Sequence, residues 1–253
     1  MSPRQLQKRI TRQASVETIP DGWRVHLEPG TGRHYQLAQL DDYARLPRRR
    51  FAHGPPVTFE VSARASQEVS PGTWGFGFWN DPGPMFRLTP FFLRLPALPN
   101  AAWFFFAAPL NYLTLGNPPG NGTLVSVYSS PRIPSILLMP LVMIAPFFLI
   151  KPVSRVLRML AARIVRHQLV TAEIDPTEWH RYRIEWRAEK LSFEIDDRAI
   201  FQSNFLPKAP LALVLWLDNQ YGAWRPDGSL AYGTLPVSVD FWVEIKDLHI
   251  NTD

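Results

Sequence analysis

The pattern of apolar and polar residues predicts short strands over most of the chain. Aromatic-rich or alternating runs are separated by clusters of Pro, Gly, Asn and Asp, as is typical of an antiparallel β-sandwich. In one such run Tyr182, Ile184 and Trp186 alternate with charged residues, so one face of that strand is predicted to be buried and the other solvated. The predicted strands cover residues 23–28, 57–65, 73–79, 101–106, 112–115, 123–128, 181–186, 191–195, 211–217 and 237–250.

The links between these runs are short, which favours antiparallel pairing. Residues 118–122 and 187–190 have the length and the composition of hairpin connections. The sequence therefore predicts an all-β sandwich. We assign residues 1–20 to an N-terminal extension and residues 21–253 to a single sandwich domain, interrupted by an insert at residues 131–170.

The first half of the insert is apolar but too short to cross a membrane. Residues 135–150, SILLMPLVMIAPFFLI, carry no charge and contain Pro140 and Pro146. As a helix this segment would extend about 24 Å, less than the roughly 30 Å of a hydrocarbon core. We expect it to dip into a membrane or to pack under the protein.

The second half of the insert predicts a basic amphipathic helix over residues 152–167. Pro152 suits the first turn of a helix. At 100° per residue the arginines fall on one side and the apolar residues on the other. The arginines are Arg155, Arg158, Arg163 and Arg166, and the apolar residues include Leu157, Leu160 and Ile164. This pattern is typical of a helix anchored at a surface of anionic lipids, although a solvated helix packed on the sandwich would also show it.

Charge and composition narrow the function classes. The chain has 27 Lys and Arg against 22 Asp and Glu, and six of the basic residues lie in the acid-free segment 131–170. Because the remainder is nearly neutral, we predict no nucleic-acid partner. The absence of Cys excludes disulfides and thiolate chemistry, and no His has ligand spacing for a transition metal. The basic N-terminus without a following apolar stretch predicts a cytoplasmic location. Together with the insert, this predicts a peripheral membrane protein on the cytoplasmic side.

Two segments resemble a known family. GTWGFGFWND at 72–81 and WHRYRIEWRAEKLSFEI at 179–195 are similar to strands of the concanavalin A-like jelly roll of lectins and family 16 glycoside hydrolases. The resemblance implies a sandwich of two antiparallel sheets. The segment SVDFWVEI at 238–245 resembles the last strand of that family, in which an aspartate often helps to hold a structural calcium. The resemblance places Asp240 at that position.

The chain departs from this family where the family performs its chemistry. The resemblance implies an E-x-D-x-x-E strand whose two carboxylates act as nucleophile and acid/base. Residues 82–172 contain no Asp or Glu, and the corresponding region reads LPNAAWFFFAAP at 98–109. Aromatic rings cannot serve as nucleophile or proton shuttle. We therefore predict no retaining glycosidase activity by the family mechanism.

The aromatic replacement predicts an apolar cleft. Along a strand, Trp103 and Phe105 point to one face, and Phe104 and Phe106 point to the other. The cleft is either filled and covered, or it binds a lipophilic ligand such as a lipid, isoprenoid or polyene. The predicted lining residues are Trp79, Trp103, Phe105, Tyr112, Trp216, Tyr221 and Trp224.

Two alternatives remain at this stage. Asp81 and Asp218 lie at the ends of aromatic strands, and in an apolar cavity they would suit acid/base chemistry on a hydrophobic substrate. Both also lie in turn-forming sequences, in which Asp side chains commonly bind backbone groups. The other alternative is a lectin-like carbohydrate-binding module of the family 16 type that has lost hydrolysis.

Overall fold

The computed structural model describes residues 6–83, 95–116, 119–143 and 145–252. Two seven-stranded antiparallel sheets pack face to face, which confirms the all-β jelly-roll prediction. The strands are β1 (Gln7–Ile10), β2 (Ala14–Ile19), β3 (Gly22–Leu27), β4 (Leu37–Asp41), β5 (Val57–Ala65), β6 (Thr73–Trp79), β7 (Ala101–Ala107), β8 (Gly122–Ser129), β9 (Arg166–Thr171), β10 (His180–Trp186), β11 (Leu191–Ile195), β12 (Arg198–Ser203), β13 (Ala212–Asp218), β14 (Gln220–Trp224), β15 (Leu230–Thr234) and β16 (Phe241–Asn251).

The front sheet has the strand order β1-β4-β13-β6-β7-β8-β9, and the back sheet has the order β12-β11-β10-β5-β16-β3-β2. Strands β14 and β15 form a separate hairpin. The central position of β6 and β7 in the front sheet follows from their composition, since continuous apolar runs suit strands covered on both faces.

Aromatic rings fill the space between the sheets. Phe76 and Phe104 of the front sheet each lie 5.0 Å, between ring centroids, from Tyr182 of the back sheet. Phe104 also contacts Phe193 edge to face at 5.5 Å. In β10 the apolar residues Tyr182, Ile184 and Trp186 have no exposed surface, whereas the residues between them face outward. Burial of these rings provides most of the driving force for closing the sandwich.

The helical insert, residues 135–164, follows β8. It consists of α1 (Ser135–Met143), a 3-10 turn (Ala145–Leu149) and α2 (Lys151–Ile164). Among the described residues, no helix combines the length and the apolar character needed to cross a bilayer.

Three boundaries differ from the sequence expectations. The presumed extension contributes β1 to the front sheet, paired with β4, and β2 to the back sheet, paired with β3. Residues 112–115 form no strand, and only Tyr112 joins a β-bridge, to Ala223. Helix α2 ends at Ile164, so Arg166 lies on β9 and is not a helical residue. The first and third differences follow from pairing with distant strands, and residues 112–115 lack such pairing beyond one bridge; periodicity alone reveals neither.

Candidate functional site

The outer face of the front sheet carries a cluster of large aromatic side chains. Phe104 and Phe106 point into the core, so Trp103 and Phe105 point outward on the same strand, and both are partly exposed. Trp79 at the end of β6 and Trp216 on β13 lie beside them. We call these four residues, Trp79, Trp103, Phe105 and Trp216, the aromatic platform.

The rings of the aromatic platform are in mutual contact. The ring centroids of Trp103 and Trp216 are 5.5 Å apart, those of Phe105 and Trp216 are 5.1 Å apart, and those of Trp79 and Trp103 are 6.0 Å apart. Strand β6 lies between the strands of Trp103 and Trp216. Gly75 and Gly77 occupy the intervening positions, and a Cβ on either would clash with the neighbouring strand or ring. The two glycines therefore allow the rings to meet across β6.

One side of this face is closed by the segment that follows β4. Tyr43, Leu46 and Phe51 pack on the outer face, and the rings of Tyr43 and Trp79 are 5.9 Å apart. Burial, together with the negative charges of Asp81 and Asp41, raises the pKa of the Tyr43 hydroxyl well above its usual value. This part of the cleft is thus filled by the protein itself.

The other side opens into a cavity of about 350 Å³. Phe105, Tyr112 and Tyr221 contribute its aromatic walls, and Thr73 and Asp218 contribute polar groups. Residues of the hairpin β14–β15 form one wall of the cavity, and Gly222 on β14 accepts a hydrogen bond from Tyr112 N–H. The structure thus brings Phe105, Tyr112 and Tyr221 together, and it connects them to the aromatic platform through Phe105.

Asp218 is held by neighbouring donors at the edge of this cavity. Its Oδ1 accepts hydrogen bonds from Thr73 Oγ1 at 2.8 Å and from the backbone N–H of Gln220 at 3.1 Å. Its Oδ2 accepts a hydrogen bond from the Tyr35 hydroxyl at 3.2 Å. Thr73 Oγ1 also accepts a hydrogen bond from Trp216 Nε1, so the carboxylate fixes the orientation of a platform ring. Asp218 thus holds Thr73, and through Thr73 the ring of Trp216, in a fixed orientation.

Asp81 and Asp218 do not form a pair. Asp218 is opposite Thr73, the first residue of β6, whereas Asp81 follows the last residue of that seven-residue strand. At about 3.3 Å per residue the six steps from Thr73 to Trp79 alone extend roughly 20 Å, so the two aspartates lie at opposite ends of β6. The backbone of Asp81 adopts φ = 43°, and its carbonyl accepts hydrogen bonds from Arg48. The two carboxylates are thus too far apart to act on the same bond, and acid/base chemistry by either one alone stays a prediction.

Trp224 supports the helical insert and does not line the cavity. Its Nε1–H donates to Ser154 Oγ on α2 at 2.9 Å, and its ring contacts Phe148 at 5.4 Å. The residues of β14 that line the cavity are Gln220, Tyr221, Gly222 and Ala223, so Trp224 at the end of this strand lies next to the cavity wall.

Arg158 of α2 also forms its contacts within the protein. It is buried, its Nε donates to the carbonyl of Trp224 at 2.9 Å, and one of its terminal nitrogens donates to the carbonyls of Thr114 and Gly116 at 3.0 and 3.3 Å. Its guanidinium lies over the ring of Tyr112. Arg158 therefore does not belong to a solvent-facing basic side of α2, which contradicts the sequence expectation.

The face of α2 opposite Arg158 is apolar and exposed. Arg155 and Arg163 are exposed beside it, and Leu157 is half-buried. Eleven of the eighteen exposed large apolar side chains in the described part of the chain belong to the helical insert. They are Ile136, Leu137, Met139, Phe147, Leu149, Ile150, Val153, Val156, Met159, Leu160 and Ile164. We call this set the apolar surface of the insert.

Asp240 pairs with a histidine. Its exposed carboxylate lies 2.9 Å from Nε2 of His26. Within the described ranges, no group of three or more His, Cys, Asp or Glu side chains is arranged to hold a metal ion. Calcium at Asp240 stays a prediction that the structure does not test.

Sequence reasoning missed two groups of polar side chains. Asp42 and His53 form a buried pair with 2.6 Å between Oδ2 and Nε2, and Asp42 also accepts a hydrogen bond from Leu213 N–H. On the outer face of the front sheet, the half-buried His167 stacks on Tyr128, whose ring also contacts Trp103; the ring centroids of His167 and Tyr128 are 4.1 Å apart. Burial lowers the pKa of His167 to about 4. No local sequence signal marks either group, since each depends on contacts between distant strands.

Comparison with known proteins agrees with this architecture. No protein-family model and no curated protein sequence matches the chain. Among solved structures, the legume lectin-like domain from Entamoeba histolytica is similar at a TM-score of 0.51 and 10% identity, over 99% of this chain and 91% of that one. A glycoside hydrolase family 16 endo-glucanase from Bacteroides ovatus is similar at a TM-score of 0.50 and 11% identity, over 98% and 96%. The chain thus has a concanavalin A-like jelly-roll fold similar to that of family 16 glycoside hydrolases.

Proposed function

We propose that the protein is a peripheral membrane protein that binds a lipophilic ligand. The helical insert contacts an anionic membrane surface on the cytoplasmic side, and the jelly roll holds the ligand on the aromatic platform and in the adjoining cavity. The observation that carries the proposal is the concentration of exposed apolar side chains in the acid-free insert.

The energetics of the apolar surface support shallow insertion. Fully burying one large apolar side chain contributes about 1.5–3 kcal/mol. Partial burial of several half-exposed residues, such as Val156, Leu160 and Ile164, would offset the entropy lost when the protein binds a surface. The same surface left in water would be an aggregation hazard, which gives membrane contact a physical rationale.

Charge favours an anionic surface. Arg155 and Arg163 are exposed on α2, and no carboxylate among the described residues lies within 4.0 Å of either guanidinium. Each basic side chain near an anionic bilayer contributes about 1 kcal/mol. The two arginines would add electrostatic attraction to the apolar contact. Residues 82–172 contain no carboxylate that would repel an anionic surface.

The shape of the site favours an apolar ligand. The aromatic platform offers flat rings, and the cavity of about 350 Å³ is near the lower end of the range for small-molecule sites, roughly 300–1,000 Å³. The buried Asp218 carboxylate already accepts three hydrogen bonds within the protein. An isoprenoid or polyene chain matches these walls better than a polyhydroxylated ligand.

Flotation with vesicles tests the membrane contact. Val156 of α2 and Val239 of the jelly roll are similarly exposed, at 50% and 54%, so Val156→Asp and Val239→Asp are matched variants. We expect the intact protein to float with phosphatidylglycerol vesicles, Val156→Asp to reduce the bound fraction about tenfold, and Val239→Asp to leave it unchanged. Equal binding of all three proteins would refute the proposal.

Organic extraction of the purified protein, followed by mass spectrometry, tests the ligand. We expect a stoichiometric lipophilic compound, and we expect all-trans-retinol, as a neutral polyene probe, to bind saturably. Trp103→Ala should weaken retinol binding, whereas Trp179→Ala, which removes a partly exposed tryptophan outside both sheets, should not. Retinol binding that is insensitive to Trp103→Ala would place the ligand elsewhere.

Carbohydrate binding is the second candidate. Aromatic platforms also stack on sugar rings, and the described polar groups Gln39, Thr73 and Asp218 lie on the same face. Their hydrogen bonds are made within the protein, which is why we rank this candidate second. A specific glycan-array signal that Trp103→Ala abolishes would favour carbohydrate over a lipophilic ligand.

A further inference from the structure

A second cavity lies between the helical insert and the front sheet. It has a volume of about 670 Å³ and is bounded by the end of α2, strand β9, residues 114–116 and the segment after β12. It shares no lining residue with the cavity beside the aromatic platform.

The wall of this second cavity is mixed, with somewhat more apolar than polar surface. Its apolar part comes from Leu115, Val165, Leu169 and the rings of Phe201 and Phe205, and its polar part includes His167 and Gln168. Polar groups in the wall are engaged within the protein, since the Gln168 side-chain oxygen accepts hydrogen bonds from Ser203 Oγ and from the backbone N–H of Asn204. The apolar part of the wall suits a hydrocarbon chain.

A cation stands at the rim. Arg166 is exposed, lines the cavity, and has its guanidinium 4.5 Å from the ring centroid of Phe205. Within the described ranges no carboxylate lies within 4.0 Å of this guanidinium. An arginine stacked on a ring and without a carboxylate partner can present its donors to a phosphate.

The second cavity lies at the C-terminal end of α2. Ala162 and Val165 line it, and Ile164, an exposed member of the apolar surface, precedes Val165 in the chain. Leu160 and Ile164 lie two residues from Ala162 and therefore on the other side of the helix. An acyl chain would enter the cavity at the end of α2, with its head group at the rim.

We propose that the second cavity binds one acyl chain of an anionic phospholipid, with the phosphate of the head group at Arg166. The inference rests on the proposed membrane function and identifies a lipid contact distinct from the aromatic platform.

Binding of monomeric lysophosphatidylglycerol, below the concentration at which it forms micelles, tests this site by native mass spectrometry and calorimetry. We expect one saturable site per chain. Arg166→Gln should weaken binding about tenfold, whereas Arg155→Gln, the same charge change outside the cavity, should have little effect. Equal weakening by both variants would reduce the interaction to general charge attraction and overturn the proposal.

A second pair of variants tests the acyl chain. Ala162→Trp places a ring in the cavity from an exposed helical position, and Val156→Trp adds the same ring outside it. We expect Ala162→Trp to abolish saturable binding and Val156→Trp to preserve it. Unchanged binding in Ala162→Trp, or tighter binding of oleate than of lysophosphatidylglycerol, would contradict an anionic phospholipid in this cavity.

Vesicle flotation separates this inference from the proposed function. Ala162→Trp leaves the apolar surface intact, so it should float like the unmodified protein while losing the monomeric lipid. If the protein floats but binds no monomeric lysophosphatidylglycerol, the cavity assignment alone is wrong. If the protein does not float, the membrane function itself is wrong.

Discussion

At the scale of single residues, Arg158 joins the helical insert to the jelly roll. Its guanidinium donates to three backbone carbonyls, those of Trp224, Thr114 and Gly116, which come from two separate segments. A side chain that satisfies several buried acceptors is difficult to replace, because each acceptor left unpaired costs about 1–3 kcal/mol.

Arg158→Gln should therefore lower the free energy of unfolding by about 3 kcal/mol. The exposed Arg155 provides the control, since Arg155→Gln should change it by less than about 0.5 kcal/mol. Chemical denaturation measures both variants. A loss of the same size in the two variants would show that Arg158 acts through its charge alone.

His167 links stability to pH. Burial lowers its pKa to about 4 in the folded protein from 6.5, so the folded state disfavours the protonated ring. Above pH 6.5 the ring is neutral in both states, so this titration does not affect stability. As the pH falls from 6.5 toward 4 stability decreases, because the unfolded chain takes up the proton first.

His167→Phe keeps a ring against Tyr128 and removes this titration. Between pH 6.5 and 4 the unmodified protein should lose up to about 3 kcal/mol more stability than the variant, at roughly 1.4 kcal/mol per pKa unit. Denaturation midpoints across this range measure the difference. Parallel pH profiles for the two proteins would exclude His167 as the cause.

At the scale of elements, alternate residues of β7 point into the core and toward the candidate site. Phe104 is fully buried, whereas Phe105 is partly exposed on the aromatic platform. Phe104→Ala should cost about 3–5 kcal/mol of stability, and Phe105→Ala clearly less. Retinol binding should respond in the opposite way: among folded variants, Phe105→Ala should weaken it more than Phe104→Ala. Denaturation and fluorescence titration together test this division.

The sequence predicts the central strands well and the edge strands poorly. Residues 57–65, 73–79 and 191–195 are strands with the predicted bounds, because their apolar side chains are fixed by burial between the sheets. Strand β9 is not predicted, because no Gly or Pro separates it from α2 and the apolar pattern of the helix continues through Val165. Short polar edge strands such as β1 depend on a distant partner for their structure.

The candidate site is predictable only where it follows from strand alternation. Trp103 and Phe105 share a face because the side-chain period of a strand is two. The filling of one side by Tyr43 and Phe51 depends on how a loop packs, as does the diversion of Trp224 to Ser154. These contacts join residues far apart in sequence, and periodicity contains no information about them.

At the scale of the whole molecule, charge and apolar exposure coincide. Residues 131–170 carry six basic residues and no acid, and the helical part of this segment holds eleven of the eighteen exposed large apolar side chains in the described ranges. The rest of the chain, with 21 basic and 22 acidic residues, is nearly neutral. This distribution supports the proposed contact with an anionic interface.

Vesicle binding should therefore have two separable contributions. Raising the salt concentration from 0.05 to 0.5 M, values chosen to shorten the screening length from about 14 to about 4 Å, should weaken binding to phosphatidylglycerol vesicles several-fold without abolishing it. Neutral phosphatidylcholine vesicles should bind weakly and with little dependence on salt. Flotation over a salt series measures both, and complete release at high salt would exclude apolar insertion.

The most direct measurement uses the absence of cysteine from the chain. Leu160→Cys and Val239→Cys each create a single site for an environment-sensitive fluorescent label, one on the apolar surface of the insert and one on the jelly roll. On addition of phosphatidylglycerol vesicles, the label at position 160 should brighten and shift to the blue, and the label at position 239 should stay unchanged. If the protein binds the vesicles but the label at position 160 shows no blue shift, insertion of the apolar surface is contradicted.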